Sequence, residues 1–304
     1  MRAIARSDWK HTVETPGRRN LGIILLILST GFTAAVDTVA KILTADYSAL
    51  VIVWGYFIGI LTAILVYAAF KRIPLRRLTQ TKRRGFQIMR SGLLVCTIGT
   101  LFTGLKYIPL ADATAIMFMA PLFITALSVP ILGEKVGLHR WLAVGVGLIG
   151  AVIIIQPGNG LAHWAAMLPL ISALSFAAFQ IATKHLSATD DTLVTLFHTA
   201  AGGLGWSSAL IWMVWTPPTP EIWAIFFGIG VLGVGAHLCI ICAFDEAPAS
   251  LLAPFNYSKL IWAFGLGYIV FGHIPAPHVF TGSAILIVSG LYVLYREGKV
   301  ARQQ

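Results

Sequence analysis

Leu21-Gly22-Ile23-Ile24-Leu25-Leu26-Ile27-Leu28 opens an apolar run that continues to Leu43. A β-barrel strand would alternate apolar and polar residues with a period of two, and this stretch does not alternate. It meets the roughly 20 apolar residues that a membrane-crossing helix requires. In lipid every backbone N–H and C=O must be paired within the fold, so an unbroken apolar run implies a helix. Residues 1–20 ahead of it are polar, with Arg2, Arg6, Lys10, Arg18 and Arg19 against Asp8 and Glu14. The run is too long for a signal-peptide core and no small-residue cleavage pattern follows it, so it reads as a retained first span.

Scanning outward gives ten such runs, at 21–43, 49–70, 86–105, 112–132, 140–156, 162–183, 192–215, 222–243, 249–271 and 279–295. At about 20 residues each, they use about two thirds of the chain. Composition agrees: 57% of the 304 residues are hydrophobic and 11% charged, against about 25% charged in an ordinary soluble domain. This excludes a soluble enzyme and a disordered chain. The net charge of +10 does not indicate nucleic acid. The basic run from Lys71 to Arg84 lies between two spans and lacks interleaved aromatics, and it reads as an orientation signal in contact with anionic lipid. The expected fold is all-α and integral to the membrane, with ten transmembrane helices.

Lys and Arg in short loops mark the cytoplasmic side. With ten spans and the N-terminus inside, 19 of the 22 basic residues fall on one side, all but Lys41, Lys106 and Lys259. Gln156-Pro-Gly-Asn-Gly160 and Thr216-Pro-Pro-Thr-Pro-Glu221, on the opposite side, have none. Both termini are therefore expected in the cytoplasm.

An internal repeat is visible. Lys41-Ile-Leu-Thr-Ala-Asp46 aligns with Lys184-His-Leu-Ser-Ala-Thr189, an offset of 143, and Leu50-Val51 then meets Leu193-Val194. A second offset of 139 relates Pro109 to Pro248 and Gly133 to Gly272. These matches join equivalent ends of spans one and six and of spans four and nine. The expected organisation is a cytoplasmic segment 1–20, a first five-span half 21–158, a second half 159–296 and a cytoplasmic tail 297–304. Five spans is an odd number, so the halves cross the membrane in opposite senses. Inverted repeats of this kind are common in secondary transporters, with the substrate near the midplane between the halves.

Further stretches carry a family resemblance. Pro121, Gly133-Glu134-Lys135 and Trp141 to Gly150 resemble the end of a first EamA repeat. Ala247-Pro-Ala-Ser-Leu-Leu-Ala-Pro-Phe-Asn-Tyr-Ser-Lys-Leu260, Phe271-Gly272 and Gly290-Leu-Tyr-Val-Leu-Tyr-Arg-Glu297 resemble the second. The chain thus resembles the drug/metabolite transporter superfamily, EamA type, over nearly its whole length. The resemblance implies two inverted five-helix EamA repeats and transport, and it extends to S-adenosylmethionine, riboflavin and amino-acid permeases. His273 departs from the pattern, standing where the second repeat usually carries an acid like Glu134.

Ionisable groups inside a span usually face a cavity or a partner. Asp37 and Lys41 share one face of the first span; they bind a zwitterion or carry a proton, or else form an internal ion pair, with Lys41 snorkelling outward. Lys259 lies deep in span nine, one turn after Pro254-Phe255-Asn256-Tyr257, where proline frees a backbone carbonyl. Lys259, Asn256 and Tyr257, with Trp262 to stack on a planar ligand, read as a substrate site; the alternative pairs Lys259 with Asp37 to hold the halves together. Arg90, at the start of span three, contacts substrate or lipid phosphate. His198 and His237, of the side-chain type that switches charge in the physiological range, are with Asp37 the proton-coupling candidates; packing is the other reading. Gln180 with Phe176, Trp54 with Tyr56, and Met117 complete the candidate pocket. Asp112 suits the N-terminus of span four.

Cys96, Cys239 and Cys242 lie in spans, and Cys239-Ile-Ile-Cys242 lacks the further ligands that structural zinc requires. No metal and no cofactor is expected. There is no GxxxxGK[ST], HExxH or GxSxG motif, and no paired-carboxylate cluster. An intramembrane enzyme and a channel are the alternatives to the expected function: a permease moving a small polar metabolite across the bacterial inner membrane by alternating access, as monomer or homodimer, with the lipid bilayer and a small-molecule substrate as partners and no nucleic acid.

Overall fold

The structure is a computed structural model and describes residues 16–132, 138–156, 163–186, 190–246 and 252–301. Most of the N-terminal segment, Glu134 with its neighbours, the Gln156–Gly160 turn beyond Gln156, Ala247–Leu251 and the end of the tail lie outside the described residues, as does the Lys184 side chain.

Twelve α-helices and one 3₁₀ turn are described, with no strand among the described residues. They are α1 (Pro16–Leu43), α2 (Ala49–Phe70), α3 (Leu75–Thr79), α4 (Arg84–Leu105), α5 (Leu110–Met117), α6 (Ala120–Leu132), α7 (Leu138–Ile155), α8 (His163–Leu186), α9 (Thr192–Ile211), α10 (Pro220–Glu246), α11 (Ser258–Phe271) and α12 (Pro277–Ala301). The turn Ala253–Tyr257 leads into α11. Six helical stretches are long and apolar enough to cross a membrane, and shorter apolar helices cover Trp141–Ile155 and Pro277–Tyr292.

Local chemistry sets the ends. Ser48 caps α2, its Oγ accepting from Val51 N–H at 3.4 Å, one of the orphan donors of a helix start. Gly272 ends α11 at φ 65°, with Gly272 N–H to the Tyr268 carbonyl and His273 N–H to the Gly267 carbonyl; glycine enters this left-handed region without Cβ strain. The run 112–132 is a single span in sequence but two helices in structure. Pro121 has no N–H to continue the ladder, and Phe118 and Met119 instead bond back three residues, to Ala115 and Ile116. Pro254 sits in the matching interruption before α11.

The helices pack in a definite pattern: α1 on α10, α4 on α8, α7 on α12, α2 on α9 and α10, α4 on α9, α1 on α11, and α5 and α6 on α8. Close approach depends on small residues. A Cβ on Gly59 would collide with the Phe226 carbonyl, and one on Gly230 with the Gly59 backbone, so α2 and α10 touch backbone to backbone. Gly150 and Gly282 do the same between α7 and α12.

The connections sort into two ends. At one, Arg77 meets Asp191 at 3.4 Å, and Thr81 and Gln87 both donate to Asp190. At the other, Lys41 reaches the α4–α5 connection, and a cluster of Trp54, Trp215 and Trp223 joins the start of α2 to the end of α9 and the start of α10. Indoles collected at one level are what a membrane interface selects.

Candidate functional site

The interruptions of the two broken spans face each other. Phe118 and Tyr257 have ring centroids 5.0 Å apart. Met117 and Asn256 flank them, Met117 half-buried and Asn256 exposed. Broken helices near mid-span expose backbone groups that an unbroken helix would consume.

Beside this junction, Lys259 Nζ lies 2.8 Å from Asp37 Oδ2, with the two side chains 18% and 7% exposed. The pair ties α11 to α1, reinforced by Thr30, about two turns earlier on α1, and Ser258, whose hydroxyls are 2.7 Å apart. Desolvating two charges is costly even when they are paired, so a buried pair between separately packed helices is a weak clamp and a strong discriminator of charge. The charge of Asp37 also reaches Tyr56, which is buried against Phe57 and Gly233.

A second buried cation stands on α4. Arg90 is 4% exposed. Its Nε donates to Thr183 Oγ1 at 2.7 Å, its Nη1 donates to Thr199 Oγ1 at 2.5 Å, and its guanidinium lies 4.2 Å over the Phe179 ring. No carboxylate among the described residues pairs with it. The lipid-phosphate reading of Arg90 is thereby corrected: the side chain points into the bundle. Its charge acts on His237, half-buried on α10.

The remaining candidates separate. Lys41 forms no ion pair with an acid among the described residues; its ammonium donates to the Leu105 and Ile108 carbonyls at 2.6 and 2.7 Å and lies 5.5 Å from the Phe271 ring centroid. It caps the C-terminal end of α4, where the helix dipole is negative. Trp262 donates to the Ile27 carbonyl at 3.2 Å and covers Gly31, so its ring is committed to α1. Trp54 donates to Ser208 Oγ within the indole cluster. His198 Nδ1 lies 2.9 Å from the Val194 carbonyl of its own helix. Phe176 stacks on Phe179. Gln180 is exposed on the side of α8 opposite the row Trp164, Met167, Ile171 and Leu174. That row is the lipid-facing stripe of an amphipathic helix, which leaves Gln180 looking into the bundle. The sequence reading missed Phe179, Thr183 and Thr199. Their only signal was the four-residue repeat of Phe179 and Thr183 on α8, toward a helix that carries a buried Arg.

The profile of the EamA-like transporter family matches residues 20–156. A riboflavin transporter of Vibrio cholerae is 30% identical over 286 residues, covering 92% of this chain and 95% of that one. The chain belongs to the EamA-like transporter family. An S-adenosylmethionine uptake transporter of Rickettsia prowazekii is 28% identical over 220 residues, 72% of this chain and 75% of its own. A pseudopaline exporter of Pseudomonas aeruginosa is 24% identical, covering 88% and 94%. A solved crystal structure shares the fold at 17% identity with a TM-score of 0.60, over 91% of this chain and 97% of that one. This EamA-like protein is thus a multi-pass membrane transporter for a small metabolite, not an enzyme.

Proposed function

We propose that this permease is a bacterial inner-membrane carrier of a planar, polar metabolite of the riboflavin or S-adenosylmethionine kind, working by alternating access between two inverted five-span halves, 21–158 and 159–296. The observation that carries the reading is an exchange of contacts. Under the offsets 143 and 139, Gly59 corresponds to Gly202 and Gly230 to Ser91. Gly59 touches Gly230 between α2 and α10, and Gly202 touches Ser91 between α9 and α4. Likewise Gly150 corresponds to Ser289 and Gly282 to Ala143; Gly150 touches Gly282, and Ser289 Oγ donates to the Ala143 carbonyl at 2.5 Å. Phe118 corresponds to Tyr257, its own neighbour. Contacts that exchange in this way belong to a two-fold axis, and the same exchange turns α1 on α10 into α8 on α4. Two equivalent halves give two equivalent conformations, one open to each side.

The site between them is Asp37 and Lys259 for a zwitterionic or hydrogen-bonding group, Phe118 and Tyr257 as an aromatic wall, Asn256 and Gln180 as polar contacts, and Arg90 with Phe179 beyond. Ten spans with both termini cytoplasmic agree with the loops at 77–87 and 190–191 lying together. The substrates for which these relatives are named, riboflavin and S-adenosylmethionine, each combine a planar heteroaromatic ring with a polar chain. In proteoliposomes, radiolabelled riboflavin and S-adenosylmethionine are to be assayed for uptake and counterflow. Saturable uptake with counterflow of either is expected; neither solute exchanging would sink the substrate class, and saturation without counterflow would sink alternating access.

A further inference from the structure

At the end of the bundle where Lys41 caps α4, two polar atoms are shut off from solvent without a hydrogen-bond partner among the described residues: Oδ1 of Asp112, in the first turn of α5, and Nδ1 of His273, just past the end of α11. A buried polar atom left unpaired costs about 1–3 kcal/mol, so two in one neighbourhood call for a reason. They belong to different halves. Pro109, the N-cap residue of α5, offers no side-chain cap, and Asp112 has not turned back to supply one.

The charges that act on Asp112 are those of His273, His278 and Lys41. His278 comes from the first turn of α12, and Lys41 from α1. The Lys41 ammonium is already committed to two carbonyls. The end of α4 adds Lys106; α7 and α8, which also pack on α5, bring no charge to Asp112 among the described residues. A cavity of about 280 Å³ lined by Lys41, Lys106, Tyr107, Ala111, Phe271 and His273 opens at this end and reaches the imidazole.

We propose that Asp112 and His273 form a proton-binding site at this mouth of the permease. A proton from water in the cavity adds to His273 Nδ1, which then donates to Asp112 Oδ1 and satisfies both orphan atoms. In the neutral ring with its hydrogen on Nε2, Nδ1 has nothing to donate to the carboxylate; the doubly protonated ring has a hydrogen on each nitrogen. Protonation therefore draws the α11–α12 connection of one half onto α5 of the other and narrows the mouth. By the 139 offset, His273 stands where the first half carries Glu134. An ionised carboxylate there would have no hydrogen to donate, whereas an imidazole ring can carry one on each nitrogen. The site rests on the permease reading and lies apart from Asp37 and Lys259.

The test places a single cysteine on the cavity wall, Tyr107→Cys, with Cys96, Cys239 and Cys242 changed to Ala. Its labelling by a membrane-impermeant maleimide is followed from about pH 5 to pH 8, against the same protein carrying His273→Gln or Asp112→Asn. The parent is expected to close as pH falls, labelling about tenfold more slowly relative to either variant at the acid end, the factor that 1.4 kcal/mol confers. Identical pH profiles in the parent and in His273→Gln would overturn the proposal, even if Asp112→Asn failed to fold. A pH-sensitive dye inside riboflavin-loaded vesicles supplies the second readout: substrate-driven proton movement in the parent, lost in His273→Gln. Labelling needs no substrate, so its failure strikes the proton site alone. Absence of exchange by every metabolite would strike the permease reading alone.

Discussion

Phe118 and Tyr257 meet across the bundle with ring planes 52° apart, each at the interruption of its own broken span and 139 positions from the other. On the proposed two-fold, each residue touches its own counterpart. The pair is not symmetric in chemistry. The Tyr257 hydroxyl is turned toward Gly290, where any Cβ would strike it, and it has no hydrogen-bond partner among the described residues. Removing an orphan hydroxyl recovers a desolvation cost of about 1–3 kcal/mol. Tyr257→Phe is therefore expected to hold or raise the melting temperature in detergent, and Gly290→Ala to lower it. A Tyr257→Phe protein clearly less stable than the parent would reveal an essential partner for that hydroxyl.

The Asp37–Lys259 pair separates a stability role from a transport role. Removing one member of a buried pair leaves an uncompensated charge, at a cost of about 3–5 kcal/mol. Lys259→Ala and Asp37→Ala are each expected to lose both melting temperature and flux. The double exchange Asp37→Leu with Lys259→Met is expected to regain stability without flux. Flux in the double variant would show the pair to be a clamp only.

The helical character was legible in the sequence because an apolar run of membrane length has few other fates; six described stretches are long and apolar enough to cross a membrane, and shorter apolar helices cover Trp141–Ile155 and Pro277–Tyr292. The interruptions were half legible. Pro254 announced the turn before α11, whereas Pro121 announces a break that falls two residues earlier, at Phe118–Met119. A proline withdraws its own N–H and crowds the preceding turn, so its effect lies upstream. Side-chain partners were the least legible. Asp37 and Lys41 share a helix face, yet each bonds to a different helix, because i,i+4 spacing permits a pair worth only a few tenths of a kcal/mol and tertiary partners outbid it. Arg90, near the basic loop, was left open between substrate and lipid phosphate; Thr183 and Thr199, about a hundred positions away in sequence, take it inward.

The helix contacts that exchange under the proposed two-fold differ in tolerance. At Gly230 a new Cβ meets the Gly59 backbone, which cannot yield without parting α2 from α10. At Gly202 it meets Ser91, a small side chain. Overpacking typically costs about 1–3 kcal/mol, and Gly230→Ala is expected at or above the top of that range, with Gly202→Ala well below it. Adding Ser91→Gly to Gly202→Ala should restore stability, a coupling that thermal melts of the four-member cycle would read.

Lys41 is a cap in this structure. Lys41→Met loses two charge-assisted bonds to the end of α4, each worth about 1.5–3 kcal/mol, and is expected to lower the melting temperature while leaving the KM for exchanged solute within about twofold of the parent, less than 1.4 kcal/mol of binding. A KM raised tenfold or more with an unchanged melting temperature would return Lys41 to the substrate site.

The opposite end is held by a carboxylate whose contribution depends on pH. Asp190 lies in the connection between α8 and α9. Partial burial works against its ionisation, but hydrogen bonds from Thr81, from Gln87 Nε2 at 2.9 Å and from the Lys82 N–H, together with the His198 charge, outweigh it and hold the carboxyl below the usual range. A depressed value in the folded state means that stability is present above the unfolded value, near pH 4 for aspartate, and is lost as pH falls through the folded one. The carboxylate stays largely in water, so the gain is discounted to about 1 kcal/mol or less. Asp190→Asn should melt slightly below the parent at neutral pH, and the gap should shrink progressively as pH falls below the ordinary aspartate value of about 4. A gap that persists in acid would assign the effect to shape, since charge would no longer be there to lose.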